Sequence, residues 1–113
     1  VKVAHTVQES SVRIRDRVIR AVLRQRERFA GTGIRYNAGI PPARIEEFCP
    51  LGKKQERRME QLFGRLDLSA RSYHKILKVA RTLADLEGCA DIQEKHLDES
   101  VLYRSIDKKY WIR

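Results

Sequence analysis

The stretch LSARSYHKILKVARTLADLEG, residues 68–88, has the pattern of a complete amphipathic helix. Ser69 is a favourable N-cap, and Gly88 stands where a C-cap glycine is expected. Leu68 and Tyr73 have the spacing of a hydrophobic staple. The apolar residues recur with the i, i+3, i+4, i+7 spacing of one helix face: Tyr73, Ile76, Leu77, Ala80, Leu83 and Ala84.

The opposite face of this helix is polar, and it includes Arg71, Lys75, Lys78 and Thr82. Arg71 lies in the first turn, at the positive end of the helix dipole, where an acidic residue would be favoured. One interpretation is a surface cation paired with a nearby acid. The other is a cation held on a rigid helix start and aimed at a phosphate bound elsewhere. Arginine suits the second role because it stays charged and offers a planar fork of donors.

Length and charge limit the possible functions. With 113 residues the chain is expected to form one domain. Its 24 Lys and Arg against 15 Asp and Glu leave a net charge of +9, which suits nucleic acid, nucleotide phosphates or an acidic protein face. No run approaches the length of an apolar membrane span, and the start lacks a signal-peptide pattern. We therefore expect a cytoplasmic protein with no membrane partner.

The chain before residue 30 predicts one long basic helix, which begins at Ser10 or Ser11 and ends at about Phe29. Residues 1–8 are predicted to be a linker or strand end from an upstream core, and residues 9–113 the domain itself. The predicted inner face of this first helix consists of Ile14, Val18, Ala21, Val22 and Phe29. Its arginines form either a solvated face or a phosphate-tracking surface, for which the candidates are Arg13, Arg17, Arg20 and Arg24.

Three further helices are predicted after a Gly- and Pro-rich loop in which Asn37 is a candidate turn residue. A short helix, PPARIEEFC, is anchored by Ile45 and Phe48. The helix GKKQERRMEQLFGRL and the final helix IQEKHLDESVLYRSID carry the remaining inward residues: Met59, Leu62, Phe63, Leu97, Val101 and Leu102. No strand pattern is present, so the predicted fold is all-α with about five helices and no significant sheet.

Catalytic and metal-binding motifs are absent from the sequence. There is no phosphate-binding loop GxxxxGK[ST], no GxSxG and no HExxH. The two cysteines have no metal-ligand spacing with the histidines, so no metal site is expected. Asp85 and Glu87 are interpreted as surface acids or as partners for Arg81. The chain alone is therefore not expected to be an enzyme.

Four segments in order, residues 9–18, 37–40, 66–88 and 96–111, resemble the C-terminal domain of the magnesium-chelatase-like AAA+ ATPases, of the ComM/YifB type. The resemblance implies a helical lid that follows an ATPase core, which would bind ATP and Mg²⁺. It implies that Arg71 is the sensor-2 arginine, directed at the γ-phosphate of ATP. Arg81 also matches the family pattern, and it either pairs with Asp85 or Glu87 or reaches the nucleotide.

The resemblance also implies partners: the upstream core and neighbouring subunits of a ring, usually a hexamer. We expect the lid to couple ATP hydrolysis to remodelling of branched DNA. Two alternatives remain open. One is the lid of a magnesium-chelatase motor subunit that acts on protein partners. The other is a free-standing basic helical module that binds nucleic acid.

Overall fold

The computed structural model describes the backbone of residues 2–66 and 69–111 and the side chains of residues 11–64 and 69–103. It contains five α-helices: α1 (Lys2–Arg28), α2 (Ile45–Phe48), α3 (Lys53–Leu66), α4 (Ala70–Glu87) and α5 (Glu94–Trp111). Two 3₁₀ turns, Asn37–Gly39 and Pro42–Arg44, connect α1 to α2. The described residues include no strand, which confirms the all-α prediction. No helix in that part of the chain is long and apolar enough to cross a membrane.

Helix α4 is the centre of the bundle, because it packs against both α1 and α5, while α3 packs on α5. The core between them is apolar and consists of Phe29, Ile40, Ile45, Cys49, Met59, Leu62, Ile76, Leu77, Ala80, Ala84, Ile92 and Leu97. Phe29 and Phe48 meet edge to face, with 5.0 Å between ring centroids. Burial of these side chains is the main force that holds the helices together.

Helix α1 differs from its prediction. It begins at Lys2 rather than at Ser10 or Ser11, so the first residues have helical backbone rather than that of a strand end. The boundary of the domain itself stays a prediction. Ile14 and Val18 were predicted to face inward, but both are exposed. They share a face with the buried Ala21, and that face continues beyond the part of α1 that the bundle covers.

Both ends of α4 form as the sequence predicts. The Ser69 Oγ accepts a hydrogen bond from the Ser72 N–H at 3.2 Å, which is the N-cap contact. Gly88 has φ 80°, and its N–H reaches the carbonyls of Ala84 and Asp85. A left-handed residue at this position closes the helix, and glycine adopts it without a steric penalty. The predicted staple partner Leu68 lies outside the described residues.

A polar side-chain contact caps the amino end of helix α5. The His96 Nδ1 accepts the Gln93 N–H at 2.9 Å, which is the N3-to-N-cap contact of a capping box. Among the described side chains of α5, those of His96, Leu97 and Ser100 are buried. Leu102 was predicted to point inward, but it is 58% exposed because it lies on the opposite side of the helix from these residues.

Candidate functional site

The amino end of α4 presents an arginine to solvent. Arg71 is exposed, and the first turn of α4 contains no acidic residue. Among the described residues, none forms a hydrogen bond or ion pair with its guanidinium. The described part of the chain therefore does not support the interpretation of Arg71 as one half of a surface ion pair.

The polar face continues from Arg71 along α4. Lys75 is exposed, and no described residue pairs with it. The Lys78 Nζ donates to the Ala38 carbonyl at 3.2 Å. The Thr82 hydroxyl donates to the Lys78 carbonyl and accepts from Asn37 Nδ2 at 3.1 Å. Within the described part of the chain, this face therefore runs from two cations without a partner, Arg71 and Lys75, to a network of paired polar groups.

At the carboxyl end of α4, the Asp85 carboxylate is completely buried and fully hydrogen-bonded. Arg28 donates to both of its oxygens, at 2.6 and 2.8 Å. Asn37 Nδ2 donates to Oδ2 at 2.9 Å, and Arg81 Nη2 lies 3.1 Å from Oδ1. The interpretation of Asp85 as a surface acid is wrong, whereas its expected contact with Arg81 is present.

Arg81 is enclosed by the chain around the end of α4. Its Nη1 donates to the Ala90 carbonyl and its Nη2 to the Cys89 carbonyl, each at 2.8 Å. These bonds hold the turn between α4 and α5 against the helix. The geometry therefore favours the structural alternative for Arg81 over contact with a nucleotide.

The predicted nucleic-acid residues of α1 separate into two groups. Arg13, Arg17 and Arg20 are exposed and lie within about 60° of one another around the helix axis. Arg24 turns inward, and its Nη1 donates to the Asp85 carbonyl at 2.9 Å. The neighbouring Gly88 leaves room for it, because a Cβ there would lie 3.2 Å from Arg24 Nη2.

Sequence reasoning missed the role of Asn37, which it interpreted only as a turn residue. Asn37 is buried, its N–H donates to Gln25 Oε1 at 2.9 Å, and its side chain contacts Arg28, Thr82 and Asp85. The signal in the sequence was weak, since only the family resemblance of residues 37–40 pointed to this residue.

Two open cavities adjoin the first half of α4, and Tyr73 and His74 line both of them. One, of about 550 Å³, lies between α4 and the segment from Pro42 to Leu51, and the other, of about 450 Å³, lies between α4 and α3. Phe63 lines the cavity beside α3, and its ring centroid lies 5.9 Å from that of Tyr73. Burial raises the pKa of the Tyr73 hydroxyl, and the carboxylates of Glu56, Glu46 and Glu60 raise it further.

Glu87, Cys89 and His96 place three possible metal ligands within 4.8 Å of one another. His96 Nδ1 accepts a backbone N–H, so the neutral ring carries its proton on Nε2 and donates it to Glu87 Oε1 at 3.0 Å. A metal ion on Nε2 would need that proton on Nδ1, facing the Gln93 N–H. The arrangement therefore fits an ion-pair cluster better than a metal site. Hydrogen bonds from Lys95 and His96 lower the pKa of Glu87 to about 2.

The second thiol, Cys49, belongs to the core. Burial raises the pKa of Cys49 to about 11, and the nearby Arg81 and Arg28 only partly oppose this shift. The thiol stays protonated at neutral pH, so it packs as a small apolar side chain rather than acting as a nucleophile.

The sequence matches the family described as magnesium chelatase, subunit ChlI, C-terminal, over residues 8–104. The chain belongs to this family. The match covers α2, α3 and α4 completely and most of α1 and α5, and it includes Arg71, Arg81 and Asp85. It confirms the resemblance drawn from the four sequence segments.

Three curated relatives have a similar stretch. The chain is 39% identical over 100 residues to the uncharacterized protein YifB of Salmonella typhimurium, covering 88% of this chain and 19% of that protein. It is 40% identical over 98 residues to the competence protein ComM of Haemophilus influenzae, covering 87% and 18%. It is 37% identical over 100 residues to YifB of Escherichia coli, covering 88% and 19%. The chain thus spans about a fifth of the relatives' length. No solved structure matches it closely.

Proposed function

We propose that this chain is the helical lid of a cytoplasmic AAA+ ATPase, and that Arg71 contacts the γ-phosphate of ATP held by an upstream core. Lid rotation between the ATP and ADP states couples hydrolysis to movement of branched DNA through a ring of subunits, usually a hexamer. The observation that carries this proposal is an exposed arginine, unpaired among the described residues, in the first turn of a rigidly held helix.

The chemistry of this helix end suits a phosphate. The helix dipole and the Arg71 guanidinium both favour an anion there, and the first turn offers no acid to oppose it. ATP with Mg²⁺ supplies the phosphoryl group when bound. The chain itself has no phosphate-binding loop, so the core must provide most of the affinity. In phosphoryl transfer, an arginine in this position stabilises the charge that spreads over the transferred group.

The rest of α4 provides a rigid lever for Arg71. The helix runs without interruption from Ala70 to Glu87, and Arg28 ties its far end to α1 through Asp85. A force on Arg71 therefore moves α1 together with α4. Arg24 and Arg81 belong to this structural junction, so we assign them to the lid's own stability.

The exposed arginines of α1 are the proposed DNA contacts. Arg13, Arg17 and Arg20 lie on one side of the helix, where they can follow a phosphate backbone. The relative from Haemophilus influenzae is named as a competence protein, which supports action on DNA.

The test is steady-state ATPase of the full-length protein that carries this chain, with and without branched DNA. Arg71→Ala is expected to lower kcat about 10-fold or more, which is about 1.4 kcal/mol of transition-state stabilisation. Lys75→Ala is the matched control, because Lys75 is an exposed cation one turn further along the same face. If Arg71→Ala turned over ATP as fast as wild type, Arg71 would be only a surface cation without a role in hydrolysis.

The alternative is a magnesium-chelatase motor subunit, which the description of the matching family favours. In that case Arg71→Ala still lowers turnover, but branched DNA does not stimulate the wild-type enzyme. The DNA-acting protein instead shows stimulation. Replacing Arg13, Arg17 and Arg20 with alanine should then make the slope of log K for DNA binding against log salt concentration less steep. The expected change is about 0.9 for each phosphate contact that is lost.

A further inference from the structure

The buried junction at the carboxyl end of α4 is far from Arg71. Asp85 follows Arg71 by 14 residues, which is about 21 Å along the helix axis. Because the helix acts as a lever over that length, a tilt of about 3° at the junction displaces the first turn by about 1 Å. A misplacement of about 1 Å can cost about 100-fold in rate. Arg71 therefore needs a second support close to the first turn of α4.

The first half of α4 has open space beside it. The two cavities of about 550 and 450 Å³ flank Tyr73, one toward the segment from Pro42 to Leu51 and the other toward α3. Close-packed side chains resist displacement, whereas a side chain that borders a cavity lacks neighbouring atoms on that side. On these two sides, the core therefore offers little resistance to a shift of this end of the helix.

The ring of Phe63 supports α4 at the cavity beside α3. It meets the Tyr73 ring edge to face, with 5.9 Å between the centroids and 65° between the ring planes. This is a favourable aromatic arrangement. Tyr73 follows Arg71 by two residues, so it lies about 3 Å further along the helix axis and about 160° around it. The contact with Phe63 therefore supports the first turn from the side opposite to Arg71.

Helix α3 provides a fixed base for Phe63. Met59 and Leu62, which precede it on the same helix, are buried in the core. Arg58 Nε forms an ion pair at 2.6 Å with Asp98 on α5. Phe63 is thus carried on an element that is held in place without the contact to Tyr73. A side chain fixed in this way can set the position of the helix that it touches.

We infer that Phe63 is a positioning residue of the proposed ATP site: through the ring of Tyr73, it holds the first turn of α4 so that Arg71 meets the γ-phosphate. This inference rests on the function proposed for Arg71. The role requires no contact between Phe63 and ATP, since Phe63 acts only through the place of the Arg71 guanidinium. Loss of the ring contact should therefore slow turnover and leave the affinity for ATP.

The experiment is steady-state ATPase of the full-length protein that carries this chain, at a temperature at which circular dichroism shows every variant to be folded. Phe63→Leu and Tyr73→Leu each remove a ring but keep an apolar side chain, and each is expected to lower kcat at least about 3-fold. KM for ATP should stay nearly unchanged, because the lost interaction acts in the transition state. Tyr73→Phe keeps the ring and should restore the turnover of wild type.

A double-mutant cycle tests whether Phe63 acts through Arg71. In the Arg71→Ala protein, Phe63→Leu should cause no further loss of kcat, because the group that Phe63 positions is gone. The matched control is Phe48→Leu, which breaks the edge-to-face contact with Phe29 at 5.0 Å, a ring contact that does not involve α4. This control should lower the unfolding temperature about as much as Phe63→Leu, but its kcat should equal that of wild type.

Three results would overturn the inference. The first is a Phe63→Leu protein with the kcat of wild type. The second is a Phe48→Leu protein that loses as much turnover as Phe63→Leu, which would indicate general loosening of the bundle. The third is an equal loss from Phe63→Leu with and without Arg71.

Failure of the inference is distinguishable from failure of the proposed function. A slow Arg71→Ala beside a normal Phe63→Leu would overturn the inference alone. If Arg71→Ala by itself turned over ATP as fast as wild type, the proposed function would fall, and the positioning role of Phe63 with it.

Discussion

At its carboxyl end, α4 is enclosed: Asp85 is fully buried, and Arg28, Asn37 and Arg81 surround its carboxylate. At its amino end, the same helix presents Arg71 to solvent, with no partner among the described residues. Both ends carry arginine, yet among the described residues only the carboxyl end provides an acid that neutralises it. A charge that is buried must be paired to be tolerated, whereas a charge left free in an unfavourable position is a candidate for function.

The strongest test of this comparison is Asp85→Ala. The substitution leaves the guanidinium groups of Arg28 and Arg81 without their shared carboxylate, so we expect a loss of about 3–5 kcal/mol in the free energy of unfolding. Urea denaturation measures it. The control is Glu47→Ala, which removes an exposed pair with Arg44 at 2.9 Å and should leave the free energy of unfolding nearly unchanged, because solvent screens the pair. Equal losses in the two variants would contradict the assignment of Asp85 as the junction of the bundle.

The second test concerns the turn that closes the enclosed end. Gly88→Ala places a Cβ on a residue with φ 80° and only 3.2 Å from Arg24 Nη2. We expect a loss of about 1–2 kcal/mol in the free energy of unfolding. Gly64→Ala is the control, because Gly64 lies inside α3 with open space around it. That substitution should stabilise the chain by about 0.5–1 kcal/mol, so the two alanines are expected to act in opposite directions.

The third test turns to the amino end. Ser69→Ala removes the side-chain oxygen that accepts the Ser72 N–H, and we expect a loss of about 1 kcal/mol. Ser69→Asp keeps an acceptor and adds a negative charge beside the helix dipole, so it should be at least as stable as wild type. Thermal unfolding of the two variants beside wild type measures the difference. If Ser69→Ala were as stable as wild type, α4 would not depend on this cap.

What the sequence could predict was local. The caps of α4 depend on Ser69 and Gly88 and on their immediate neighbours, and both were predicted correctly. The family could also be identified from short ordered segments. The role of Arg71 was left open between two interpretations, an ion-paired surface cation and a cation directed at a phosphate, because periodicity places a residue on a face but does not show what stands opposite.

The junction around Asp85 could not be predicted, because its partners are distant in the chain. Arg28 lies 57 residues from Asp85, and Asn37 lies 48 residues from it. Helical periodicity assigned Arg24 to the basic surface, since an arginine that turns inward looks the same in sequence as one that faces solvent. The exposure of Ile14 could not be predicted either, because an apolar pattern does not show where the bundle ends.

The smallest expected effect sharpens the comparison most. Arg71→Glu replaces a cation at the positive end of the helix dipole with an anion, and it creates a Glu–Lys pair with Lys75 one turn later. We therefore expect the free energy of unfolding to rise by about 0.5–1 kcal/mol, while ATP turnover of the full-length protein falls by more than in Arg71→Ala. Arg71→Gln should be intermediate in stability, because it removes the charge without reversing it. A residue whose replacement improves the fold and abolishes the reaction is retained for its function. If Arg71→Glu instead destabilised the chain, the arginine would have a structural role and the contrast between the two ends of α4 would disappear.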